Sequence, residues 1–216
     1  MSYKLVIFDL DGTILDTLED LKESTNAALK ANGYPARRLD EVRSFVGNGI
    51  GKLIERAVPQ EASKEDAKKT LEDFKVHYAK HCADNTKPYE GIPELLMKLK
   101  RSGVKIAVVS NKADFAVVQL CKQYFPDMFD VAVGERENIR RKPCPDSVLE
   151  VQRLLNVNAD EAVYIGDSDV DIETAQRAKM DGIFVSWGFR GRKFLIEHGA
   201  GRIVDSVKEL EKMLIN

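Results

Sequence analysis

Five apolar runs of strand length govern what this chain can fold into. They lie at about 4–8, 104–109, 129–133, 162–166 and 182–185. Each is nearly continuous in Val, Ile, Phe and Ala, the pattern of strands buried on both faces of a parallel sheet. Segments of helical period lie between them. In one, Ile92, Leu95, Leu96 and Leu99 fall at i, i+3, i+4 and i+7, with Pro93 near the start and Gly103 past the end. Similar segments run over about 113–124, 145–155, 170–180, 191–198 and 206–215, and 202–204 is a weaker sixth strand. The alternation predicts an α/β fold with a doubly wound parallel sheet.

The first crossover breaks this rhythm. Strand one ends near Phe8 and the next begins near Val104, far beyond a simple βαβ connection. Helical patterns fill the gap at about 17–32, 39–45, 50–58 and 64–82, the last with Ser63 and Asp66 as capping residues. The expected organisation is a core of 1–15 and 84–216 with a small helical domain, 16–83, inserted into it.

Charge and cysteine usage exclude several functions. Lys plus Arg is 33 and Asp plus Glu is 35, a net charge of −2, which suits neither a bulk nucleic-acid binder nor a polybasic membrane protein. The cysteines Cys82, Cys121 and Cys144 are widely spaced, giving neither a disulfide framework nor a zinc pattern. A reducing cytoplasmic setting is expected. The apolar run from Leu5 stops at Asp9, too short for a signal peptide, and no stretch has the ~18 apolar residues of a membrane helix.

Ligands of open α/β sheets bind beyond the carboxyl ends of the strands. Strand one leads into Asp9-Leu10-Asp11-Gly12-Thr13, the second into Ser110-Asn111, the third into a loop with Arg140, Arg141, Lys142 and Pro143, and the fourth into Gly166-Asp167-Ser168-Asp169-Val170-Asp171. Any one of these is an ordinary turn or helix cap. Together they put carboxylates, a hydroxyl and a lysine on one rim. Gathered carboxylates repel unless a cation compensates, and hard oxygen ligands favour Mg²⁺ with a phosphate oxygen. An Asp can also serve as a nucleophile toward phosphorus. Asp9 and Asp11, two apart, would share a side of an extended strand. A carboxyl that donates a proton near neutral pH should lie away from the metal and near like charge.

These four segments, in this order, resemble the motifs of the haloacid dehalogenase superfamily, and the likeness covers essentially the whole chain. Within the superfamily the sequence looks like the phosphoglycolate phosphatases, through Val46-Gly47-Asn48-Gly49, 164–174 and Ser186-Trp187-Gly188-Phe189-Arg190. The resemblance implies a Rossmann-like core with a helical cap and a Mg²⁺-dependent phosphatase acting through an aspartyl-phosphate. Its substrate would be a small phosphate ester, with pyrophosphatase, nucleotidase and sugar phosphatase or phosphomutase as alternatives. It implies Asp9 as nucleophile and metal ligand, and Asp11 as general acid and base with its carbonyl on the metal. Gly12 and Thr13 would shape the turn and offer N–H groups to phosphate, with Ser110 and Asn111 on phosphoryl oxygens. Lys142 would neutralise the transferring group. Asp167 would bind Mg²⁺, and Asp171 would bind through water or orient Lys142. A monomer or homodimer without nucleic-acid or membrane partners is expected.

The glycine cluster of residues 47–51 fits no nucleotide loop, since G-x-G-x-x-G would need glycine at Lys52. It is either an interhelical turn or, with Arg43, Gly47 and Asn48, a site for a substrate anion at a helix N-terminus. Arg190 either reaches the rim or covers the sheet edge. Cys144 is expected to be a buried, inert thiol. His77, His81 and His198 are expected on helix surfaces.

Overall fold

The computed structural model describes residues 3–215. The chain divides into two compact units, Met1–Leu15 with Pro88–Asn216, and Asp16–Lys87.

The first unit holds a six-stranded parallel sheet. Its strands are β1 (Leu5–Phe8), β4 (Lys105–Ala113), β5 (Val131–Glu135), β6 (Ala162–Gly166), β7 (Asp181–Val185) and β8 (Ile203–Val204), in the spatial order β5-β4-β1-β6-β7-β8. Every paired register among them is parallel. The short segments joining the units, β2 (Leu15–Asp16) and β3 (Lys87–Pro88), pair as a separate two-stranded sheet.

Side chains of a strand alternate between its faces. Leu5 and Ile7 therefore join Ala107, Val109, Val133 and Tyr164 in one core layer. That layer is closed by α7 (Asp146–Leu155) through Val148 and Val151, α8 (Asp169–Arg177) through Ile172 and Ala175, and α9 (Gly191–Glu197) through Leu195. Val6, Phe8, Ile106 and Val108 alternate with that set and are fully buried as well. This is why the runs read as continuous rather than alternating. Helix α5 (Ile92–Arg101) buries the stripe Ile92, Leu95, Leu96 and Leu99, each contributing roughly 1.5–3 kcal/mol by burial. Helices α6 (Asp114–Tyr124) and α10 (Val207–Leu214) complete the unit.

Strand β4 extends past the apolar run through Ser110, Asn111 and Lys112. Its pairing with β5 shifts register between Val109 and Ala113, so Ala113 still meets Glu135. The second rim segment is thus part of a strand and not the loop after it.

The second unit consists of α1 (Leu18–Ala31), α2 (Leu39–Phe45), α3 (Gly49–Ala57) and α4 (Lys64–His81). Ser63 caps α4 by accepting from Asp66 N, as the sequence pattern predicts. The unit ends four residues beyond 83, the expected end of the insertion. The carboxylate of buried Asp20 on α1 accepts from Asn85 N, Thr86 N and Asn85 Nδ2, which holds that segment to α1. His77 is half-buried, bonds Ser24 Oγ at 3.0 Å and stacks on His81, so it is less exposed than the helix pattern suggests.

Candidate active site

The rim begins where β1 leaves the sheet. Asp9 N still donates to Ile165 O of β6 at 2.8 Å. The chain then turns on Leu10 O, which accepts from Thr13, Ile14 and Leu15 N, while Gly12 N donates to Leu15 O. The N–H groups of Gly12 and Thr13 are therefore engaged inside the turn and do not stand ready for a phosphate. Gly12 matters for another reason. Its φ is +84°, and a Cβ there would lie 2.5 Å from Asp167 Oδ2. A Cβ on Gly188 would meet the same carboxylate at 2.4 Å, and one on Gly166 would meet Asp171 at 2.3 Å. Three glycines thus make room for two carboxylates.

Asp9, Asp167 and Asp171 each present an oxygen within 4.8 Å of the others, and all three are buried. Lys142 lies among them. Its Nζ is 2.9 Å from Asp9 Oδ1, and it donates to Asp171 Oδ1 at 2.8 Å and to the Tyr164 hydroxyl at 2.7 Å. The tyrosine hydroxyl is also 3.1 Å from Asp171 Oδ1. Asp171 Oδ2 accepts from Asp167 N, Ser168 N and Ser168 Oγ. Its oxygens are saturated, which suits a residue that fixes Lys142 better than one that binds a cation directly. Asp167 is different: Oδ2 accepts from Phe189 N at 2.7 Å, and no described residue donates to Oδ1.

Three buried carboxylates and one ammonium leave negative charge in excess. Burial pushes Asp9 up to about 7; Lys142 opposes this, and Asp171 and Asp11 add to it. Burial, helped by Asp171 and Asp9, holds Asp167 well above the usual carboxylate range, against Phe189 N–H and Arg190. Burial alone would lower Lys142, but Asp171 and Asp9 outweigh it and hold the ammonium well above its ordinary value. A cation between Asp9 and Asp167 would relieve both raised carboxyls. This all-oxygen donor set fits Mg²⁺.

Asp11 does not share these partners. Gly12 reverses the chain just beyond it, and its Oδ1 accepts from Lys112 Nζ at 2.8 Å. As expected, a turn carries Asp11 off the strand and its charge still acts on Asp9, while an ammonium also lies against Asp11. Burial pushes the Cys121 thiol up to about 12, with the charge of Asp11 adding, which puts this carboxylate near α6.

Ser110 and Asn111 are buried at the end of β4. Asn111 Nδ2 donates to Lys142 O at 3.0 Å and ties the lysine loop to the strand. Thr13 is fully buried, its Oγ1 has no hydrogen-bond partner among the described residues, and its carbonyl accepts from Trp187 Nε1 at 3.1 Å. Arg190 stacks over Phe194 and is near enough to act on Asp167, which favours its reaching the rim. Cys144 is half-buried, not buried. Arg43, Gly47 and Asn48 belong to the helical unit. Arg43 is exposed, Gly47 has φ +117°, and Asn48 Oδ1 accepts from Arg56 at 2.8 Å.

Two residues of the rim went unread in the sequence. Lys112 follows Ser110 at the spacing that shares a strand face. Tyr164 is a polar-tipped aromatic in an otherwise aliphatic strand. Those were the available signals.

Comparison with known proteins finds a matching family and several similar relatives. The family described as haloacid dehalogenase-like hydrolase matches residues 6–185. A phosphoglycolate phosphatase of Psychrobacter arcticus is 36% identical over 197 residues, covering 88% of this chain and 86% of the relative. One from Aquifex aeolicus is 32% identical, covering 86% of each. A solved structure from Lactobacillus delbrueckii subsp. bulgaricus, provisionally named a phosphoglycolate phosphatase, is 40% identical with a TM-score of 0.94, covering 99% of both chains.

Proposed function

We infer the reaction from one premise: this chain belongs to the haloacid dehalogenase-like hydrolase family and is a phosphatase. The reaction proposed is Mg²⁺-dependent hydrolysis of a small phosphate ester through an aspartyl-phosphate on Asp9. The substrate proposed is 2-phosphoglycolate, after the names of the relatives. The observation that carries the mechanism is Asp9 itself, a buried carboxylate 2.9 Å from Lys142 inside a group with excess negative charge.

Asp9 and Asp167 would hold Mg²⁺ directly, with the Asp11 carbonyl. Bound there, the ion would keep Asp9 ionised and neutralise charge on the phosphoryl oxygens. A carboxylate oxygen of Asp9 attacks phosphorus. The ester P–O bond breaks, and the leaving oxygen takes a proton from Asp11. A water then gives a proton to Asp11 and its oxygen attacks the same phosphorus. The bond to Asp9 breaks, releasing phosphate and restoring the carboxylate. Lys142, fixed by Asp171 and Tyr164, balances charge beside the nucleophile throughout. Ser110 lies on the same rim for a phosphoryl oxygen. Catalysis of this kind is chiefly positioning and charge neutralisation.

Arg43 with the loop at Gly47 and Asn48 is proposed to bind the substrate's carboxylate. Arg43→Ala should raise KM for 2-phosphoglycolate more than it lowers kcat on an aryl phosphate; equal effects would remove this role. The substrate is tested by kcat/KM over a panel of phosphoglycolate, nucleotides, sugar phosphates and pyrophosphate, with and without Mg²⁺. Activity on pyrophosphate alone would overturn the ester reading.

A further inference from the structure

We propose that Lys112 is a positioning residue for Asp11, holding that carboxylate where it can serve the leaving group. The inference rests on the reading of Asp11 as general acid.

Three observations support it. The Lys112 side chain is 1% exposed, and stripping an ammonium of water costs several kcal/mol unless it is paired. The carboxylate it pairs with, at 2.8 Å, belongs to Asp11. Secondly, the lysine is anchored. It lies inside β4, where Ala113 still pairs with Glu135, and Lys112 N donates to Ser110 Oγ at 3.3 Å. Its backbone is therefore fixed relative to the phosphoryl-binding end of the same strand. Thirdly, Asp11 lies just before a glycine-reversed turn and is the more exposed partner, at 14%. A short side chain in that place has rotamers to choose from, and a general acid works only within hydrogen-bond reach of the atom it protonates. The fixed ammonium selects one of those rotamers. Lys142 cannot do this, because its contacts go to Asp9, Asp171 and Tyr164.

The leaving group separates this role from simple phosphate binding or fold support. Para-nitrophenolate departs without protonation, whereas an alkoxide requires it. The experiment compares kcat/KM of wild type, Lys112→Met, Lys112→Arg and Asp11→Asn on p-nitrophenyl phosphate and on glycerol phosphate. Lys112→Met should lose about 10–100-fold on the alkyl ester, and at least about 10-fold less than that on the aryl ester. Lys112→Arg should recover part of the alkyl activity. In an Asp11→Asn background, Lys112→Met should add little. Equal losses on both esters, or a gain on the alkyl ester, overturn the proposal. Should Lys112→Met fail to fold, Lys112→Arg alone decides: an alkyl-selective loss supports positioning, and a uniform loss refutes it. If Asp11→Asn itself shows no leaving-group selectivity, the acid assignment falls, independently of how Lys112 behaves.

Discussion

Asp9 and Asp11 leave the same strand two residues apart, yet their carboxylates meet different neighbours. Asp9 is gathered with Asp167 and Asp171, Lys142 lies against Asp9 and Asp171, and burial raises the pKa of Asp9 to about 7. Asp11 pairs with Lys112, and its side chain is slightly more open to solvent. The chain stays in the β6 ladder through Asp9 N and reverses at Gly12, so one residue remains with the sheet and the other leaves it. Two residues of one type thus acquire different electrostatics from a turn. In the mechanism proposed, Asp9 as nucleophile and Asp11 as proton carrier would work in these different settings.

The strongest way to break this comparison is Asp9→Asn. Loss of the nucleophile should reduce turnover at least about 10³-fold on aryl and alkyl esters alike. Near-normal hydrolysis by that variant would remove the covalent mechanism. Asp171→Asn comes next. It removes one of the two carboxylates against a buried ammonium, leaving Asp9, and should cost about 1.5–3 kcal/mol, read by denaturant unfolding. An unchanged midpoint would mean that Lys142 does not depend on Asp171.

The acidic group also makes a pH prediction. The folded chain holds protons on Asp9 and Asp167 that the unfolded chain releases near pH 4. In chelator, stability should therefore fall as pH rises from about 4 toward 7. Mg²⁺ should raise the Tm more at pH 7.5 than at pH 5, and an equal rise at both would place the cation elsewhere. The smallest effect sharpens the role of the tyrosine. Tyr164→Phe removes a hydroxyl shared by Lys142 and Asp171 and should cost about 0.5–3 kcal/mol of stability. No measurable change would show the hydroxyl to be dispensable.

The sheet and its helices were readable because burial on both faces writes an uninterrupted apolar run, and because a helix stripe repeats at 3.6 residues. Residues 162–166 and 39–45 coincide with β6 and α2. The short strands β2 and β3 were not readable, since two residues carry no periodicity. The carboxylates at the strand ends were visible as a set, but Lys112 was not read with them. Only the ion pair distinguishes it from a solvated lysine.

What the sequence determined by itself is the parallel sheet, the interruption after its first strand, and the delivery of Asp9, Ser110, Lys142 and Asp167 to one rim. Local pattern and strand order suffice for these. Tertiary structure decided the partners: Asp171 turned inward to saturate itself on Lys142 and Ser168, Gly12 and Gly188 set against Asp167, and Asp11 drawn to Lys112. Such choices depend on distances between residues remote in the chain and on which charges lose their water, and neither quantity is written in local spacing.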